Sequence, residues 1–162
     1  MYLALPFLLV IVFSIFHLFL SNKKATFVRV LELLLLYLLF INGISAFLTA
    51  FSYLFLTEGI SMYYGWPIHP LHVDVAFSYL AVGILGLLTP FFRKGGFWFA
   101  NILLCTAIFW GAAYSHFCQK ERFHHYVSRV SEGKLWVEIL VPVIMIVFFL
   151  VVMTHKKKKQ NK

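Results

Sequence analysis

Five apolar runs constrain this chain more than any other feature. They occupy residues 2–20, 27–57, 73–92, 97–117 and 135–153. At 1.5 Å of rise per helical residue, runs of this length approach or exceed the ~30 Å hydrocarbon core of a bilayer. Inside lipid every backbone N–H and C=O must be satisfied within its own segment, so such runs fold as helices. The expected architecture is an all-α polytopic membrane helix bundle with about five transmembrane helices. Composition agrees: 62% of the 162 residues are hydrophobic and 12% are charged, against about 25% charged in soluble domains. A single transmembrane domain over residues 1–155 is expected, with a basic tail at 156–162.

The first run has no basic segment before it and no small-residue cleavage site after it, so it reads as a retained span. The second, as one helix, would reach about 46 Å and must tilt, bend near Gly43 or project from the membrane. Gly59, Gly65, Pro67 and Pro70 mark residues 58–72 as a structured loop. Pro142 lies near the start of the fifth run, where a local kink suffices.

The formal net charge is +8. The basic residues lie between and after the apolar runs rather than on a soluble face, which excludes nucleic acid as a partner. Lys23, Lys24, Arg29, Arg93, Lys94, Lys156, Lys157, Lys158, Lys159 and Lys162 fall on one side of a five-span topology. Lys120, Arg122, Arg129 and Lys134 fall on the other. Ten against four places the N-terminus outside and the C-terminus in the cytoplasm of a cell (inner) membrane. The tail reads as an interfacial anchor, with anionic head groups as the sharper alternative.

Polar chemistry gathers on the outer side of that topology. His69, His72, His116, His124 and His125 map there, with Glu58, Asp74 and Glu138. Ionisable groups near a bilayer are costly unless they pair or serve a site. Asp74 and Glu138 stand in first helical turns and His116 in a last turn, where each also complements the helix dipole. Glu58 stands near the C-terminal end of the second run, opposes that dipole and needs a partner. Glu58, His72, Asp74, His116 and Glu138 are therefore the candidate ligand or proton site. His69, His72, His116 and Asp74 are candidate ligands for a transition metal ion, the one cofactor the pattern suggests. His124 and His125 read as part of a solvated interfacial helix.

Elsewhere the polar residues read structurally. Glu32 and Arg29 are three apart, which suits a local ion pair. His17 and His155 stand isolated at helix ends. Asn42 and Asn101, with the small residues Gly43, Ala46, Ala50, Gly83, Gly86, Gly111, Ala112 and Ala113, read as helix-packing devices. Thirteen residues of helix would hold Cys105 and Cys118 roughly 20 Å apart, too far for a disulfide. No phosphate loop, dinucleotide fingerprint, nucleophile elbow or haem-attachment motif occurs. Nothing in the sequence demands an enzyme. Three functions fit: binding of a small ligand, metal ion or proton by the outer-face cluster; an accessory or assembly subunit of a membrane complex; and a component of a membrane redox enzyme. The partners expected are the lipid bilayer and either partner membrane helices or a second copy of the chain.

The segments RVLELLLLYLLF, GWPIHPLHVDVAFSYLAVGILGLL, GGFWFANILLCTAIFWGAAYSHF and LWVEILVPVIMI carry a resemblance. Over residues 29–148 the chain resembles a family of small bacterial integral membrane proteins catalogued as a domain of unknown function. Gly65, Trp66, His116 and Glu138 fit the family pattern as they stand. His72 stands where the family has Gln, and Asp74 where it has Glu. The resemblance implies a membrane protein and singles out Asp74, His116 and Glu138, without an activity.

The topology is open to direct test. A reporter fused after Lys162 should be cytoplasmic and one inserted near Arg129 external; the reverse pattern would refute the orientation.

Overall fold

A computed structural model describes residues 4–21, 25–59, 71–122 and 132–160. Among the described residues there are five long helices: α1 (Ala4–Leu20), α2 (Phe27–Phe55), α3 (Leu71–Leu88), α4 (Gly95–Arg122) and α5 (Glu132–Gln160). Among the described residues there is no strand. Three stretches, Phe27–Phe55, Gly95–Ser115 and Leu135–Lys158, are long and apolar enough to cross a membrane. The apolar stretches Leu5–Leu20 and His72–Leu88 are shorter. Large apolar side chains are exposed on all five helices, among them Phe16, Phe51, Phe77, Leu103 and Leu150. A water-soluble surface rarely carries so much apolar area.

The second helix is the hub. It packs against α1, α3 and α5, and Leu35, Leu39 and Ala50 are almost wholly buried along it. Thr26 precedes it in extended conformation, and its carbonyl accepts the Val30 N–H at 3.0 Å. Leu56 closes it by donating its N–H to the Ser52 carbonyl at 2.9 Å. Residues 57–59 then take one more helical turn. The helix runs unbroken through Gly43.

Glycine sets how closely α2 and α3 approach. A Cβ built on Gly43 would lie 2.6 Å from the Gly86 Cα. One built on Gly83 would lie 2.9 Å from the Phe47 backbone. Residue numbers rise along α2 as they fall along α3, so the two helices are antiparallel. Without a Cβ the backbones can touch, and dispersion between the two surfaces is gained along the seam. The small-residue stripe read from the sequence thus packs as expected at Gly43, Gly83 and Gly86, and Ala46 and Ala50 are buried along α2. Gly111 does not join it: nothing lies within 4 Å of its would-be Cβ.

The first helix docks through aromatic contacts. Phe13 stacks on Tyr37 with centroids 5.8 Å apart. His17 Nδ1 lies 2.9 Å from the Tyr37 hydroxyl, so His17 is a bridge between α1 and α2 rather than an isolated histidine. The third and fourth helices are joined through Asn101, which donates to Thr89 Oγ1 at 3.0 Å. Cys105 donates to Asn101 Oδ1 at 3.5 Å and accepts from Asn42 Nδ2 at 3.4 Å. This chain of polar groups ties α2, α4 and the end of α3 together.

At the same end of the bundle as the start of α2, Lys156 of α5 meets Glu32 of α2 at 2.7 Å. Its ammonium also lies 5.8 Å from the centre of the Trp98 ring. Arg29 donates instead to Ser21. The local Arg29–Glu32 pair is therefore replaced by a long-range one. The cause is that α5 stays helical through Gln160 and carries Lys156 back alongside α2.

Two substitutions separate packing from propensity. Gly86→Leu should force α2 and α3 apart and cost about 1–3 kcal/mol. Gly96→Leu, where a Cβ meets nothing within 4 Å, should cost far less. Thermal midpoints in detergent distinguish them, and equal losses would refute the seam.

Candidate functional site

The end of the bundle opposite Lys156 contains a cavity of about 1250 Å³ reached by all five helices. Its apolar walls include Val10 of α1, Leu38 and Ile41 of α2, Val82 of α3, Phe109 of α4 and Val141 of α5. Polar groups enter these walls at a few points, and α2 supplies most of them. Asn42, Ser45, Thr49 and Ser52 all line the cavity. They are three, four and three residues apart, which is the spacing of one helix face.

The way these groups are already bonded decides what they offer. The Thr49 hydroxyl donates to the Ser45 carbonyl at 2.8 Å and the Ser52 hydroxyl to the Leu48 carbonyl at 2.9 Å. The Thr57 hydroxyl donates to the Tyr53 carbonyl at 2.7 Å. A hydroxyl that gives its proton to its own helix keeps lone pairs for anything else nearby. Asn42 likewise directs its amide nitrogen to Cys105. The lining is therefore rich in acceptors.

Two carboxylates join it. Glu58, past the end of α2, and Glu138, in the second turn of α5, both line the cavity. Glu138 is only 4% exposed, whereas Glu58 is exposed at the rim. Glu138 is held in a helix whose Pro142 cannot donate to the Glu138 carbonyl four residues back. That missing bond locally loosens the turn that presents the carboxylate.

The remaining predicted residues fall in different places. His72 is 8% exposed and stands with its ring centre 5.9 Å from that of Tyr53. Tyr53 lines the cavity and stacks on Tyr79, another lining residue, at 6.3 Å. His72 is thus one aromatic ring away from the cavity, and its Nδ1 has no hydrogen-bond partner among the described residues. Asp74 is exposed on α3 and is not among the cavity residues. His116 belongs to α4, but its side chain lies outside the described residues, as do His69, His124 and His125. Among the described residues no three His, Cys, Asp or Glu side chains come together as a metal site.

Sequence reasoning missed Tyr53, Tyr79, Cys105 and the hydroxyl stripe as lining residues. The stripe had a signal, since small polar residues recur on one face of an apolar helix. The tyrosines had none, because their place depends on how α3 packs on α2.

The deepest polar contact can be checked. Asn101 is fully buried, and Asn101→Leu should cost about 1 kcal/mol through loss of its interhelical bond. A thermal midpoint equal to wild type would show that this bond contributes nothing.

Comparison with known families gives one finding. A family model described as a family of unknown function (DUF6790) matches residues 1–160. The chain belongs to that family, and the match extends beyond residues 29–148 to take in the first helix. Neither curated proteins nor solved structures yield a match.

Proposed function

We propose that this member of the DUF6790 family is a five-span membrane protein that binds a small amphiphilic ligand in the cavity between its helices. In this reading the N-terminus lies outside, the basic end lies in the cytoplasm, and the cavity faces the outer half of a cell membrane. The ten-to-four distribution of Lys and Arg supports that orientation. The three long apolar helices support the membrane setting. The two shorter ones, α1 and α3, are 17 and 18 residues long, within the range that spans a bilayer with little tilt.

One observation carries the functional reading. Glu58 and Glu138, distant in sequence, line the same large and mostly apolar cavity. Binding sites for small molecules are concave, largely apolar and provided with a few convergent polar groups. A carboxylate kept within a helix bundle is expensive and marks a site more often than it marks packing. Simple misfit of helices would leave an apolar void, not one edged by two acids and a hydroxyl stripe. The reading is one of binding and assigns no catalytic residue.

Filling the cavity tests this. Thr49→Trp places an indole in it, while Gly111→Trp places one where a Cβ meets nothing within 4 Å. Saturable binding of an uncharged environment-sensitive naphthylamine dye to the purified chain should fall about tenfold or more in the first, a change of roughly 1.4 kcal/mol. The second should match wild type. Undiminished binding in Thr49→Trp would overturn the reading.

A further inference from the structure

The end of the bundle away from the cavity carries an independent signal. Resting on the membrane setting but not on the cavity, we infer that this end binds the head groups of anionic phospholipids. The binding surface is one that Arg93 and Lys94 share with Lys157 and Lys158.

The first argument is charge, counted over the whole sequence. Of six acidic residues, five stand at the cavity end. Glu58 follows α2, Asp74 lies in the first turn of α3, Glu121 in the last turn of α4, and Glu132 and Glu138 in the first two turns of α5. Glu32 is the one left for the basic end, and Lys156 holds it at 2.7 Å. The same end carries Arg29, Arg93, Lys94, Lys157 and Lys158. Arg29 donates to Ser21 and Arg93 to the Pro90 carbonyl at 3.4 Å. Lys94, Lys157 and Lys158 are exposed. Lys23, Lys24 and Lys162, outside the described residues, are basic as well. No acidic side chain of this chain remains to neutralise these bases, so the counter-charge comes from outside it.

The second argument is convergence. In the sequence the α3–α4 turn and the tail are far apart. A Cβ built on Gly95 would lie 2.6 Å from Met153 Cε, so the turn bearing Arg93 and Lys94 is drawn against the last turns of α5. The Lys156 ammonium lies 5.8 Å from the centre of the Trp98 ring, across the same contact. Helix α5 continues through Gln160, which carries Lys157 and Lys158 on a regular helix directly after that anchored residue. Like charges held together in this way repel one another, and an anion among them reverses the sign.

The third argument identifies the anion. Phe19, Leu20, Phe27 and Phe91 are largely exposed at this end. Phe91 stands two residues from Arg93, and Phe27 two from Arg29. Acyl chains cover such a surface, and the stems of Lys and Arg reach from it to the level of the phosphates. A free phosphate or an acidic peptide would use the charges alone, whereas a phospholipid uses both features. A choline head group brings its own cation. An anionic head group leaves its net charge for the protein.

Phosphatidylglycerol and phosphatidylcholine of equal acyl length test the inference. Lipid retained by the full chain, from uncharged maltoside micelles holding both in equal amounts, should favour phosphatidylglycerol at least about fivefold. The combined variant Arg93→Gln, Lys94→Gln, Lys157→Gln and Lys158→Gln should lose most of that preference. The combined variant Lys120→Gln, Arg122→Gln, Arg129→Gln and Lys134→Gln changes the net charge equally and should keep it. Thermal midpoints show whether each remains folded. Should the first variant fail to fold, wild type and the second still decide the matter. Equal retention of the two lipids by wild type, or loss of the preference in the second variant, would overturn the inference. So would displacement of phosphatidylglycerol by glycerol 3-phosphate or by polyglutamate at matched charge, which would assign the surface to a free phosphate or an acidic peptide. None of these outcomes bears on the dye binding that tests the cavity.

Discussion

The backbone contact between α2 and α3 is the constraint on which the rest of the bundle depends. Gly43 faces Gly86, and Gly83 faces the backbone at Phe47. Between apolar helices in an apolar solvent there is little hydrophobic drive to associate, so close packing must supply the attraction. Glycine permits that packing because it presents backbone directly to its neighbour. With α2 and α3 held this tightly, α1 and α5 find their places on the flanks of α2, through Tyr37 and Glu32 respectively. The fourth helix is then tied in by Asn101 and Cys105.

The cavity follows from the same arrangement. Where the seam is glycine, the helices touch. Toward the end of α2 the residues on the seam become Tyr53 and Tyr79, and the neighbouring face of α2 carries short polar side chains instead of leucines. Leu35, Leu36 and Leu39 fill the bundle at the end near Lys156. Asn42, Ser45, Thr49 and Ser52 do not fill it at the other. One helix thus passes from core-filling to cavity-lining along its own length, and its polar lining begins at Asn42.

Among the described residues the two ends of the molecule differ in charge for a related reason. At one end the bases are exposed or engaged, with Lys156 on Glu32 and Trp98, and Arg29 on Ser21. At the other, carboxylates face a cavity whose hydroxyl protons are already committed. An exposed ion pair such as Lys156–Glu32 contributes little stability. Its consequence is to keep the basic end of α5 alongside α2, at the end opposite the cavity's acids.

Much of this was legible from residues 1 to 162 alone. The apolar runs at 27–57 and 135–153 become α2 and α5 because run length and backbone satisfaction are local properties. Glu58 drew notice for a local reason too, as an acid at the unfavourable end of a helix. The stripe of small residues pointed to close packing, since only small side chains allow it. What the sequence could not decide was which groups would meet. Glu32 had Arg29 three residues away and took Lys156 from another helix; His17 looked solitary and bridges to Tyr37; Asp74 was a candidate for the same site as Glu138 and stands exposed, outside the cavity lining. Each outcome depends on the rotation and height of one helix against another, and those are set by contacts such as Gly43 on Gly86 that no single segment contains. Helix identity belongs to the local chain, whereas the sharing of one cavity by Glu58 and Glu138 belongs to the packed bundle, because through-space proximity exists only once the helices have chosen their faces.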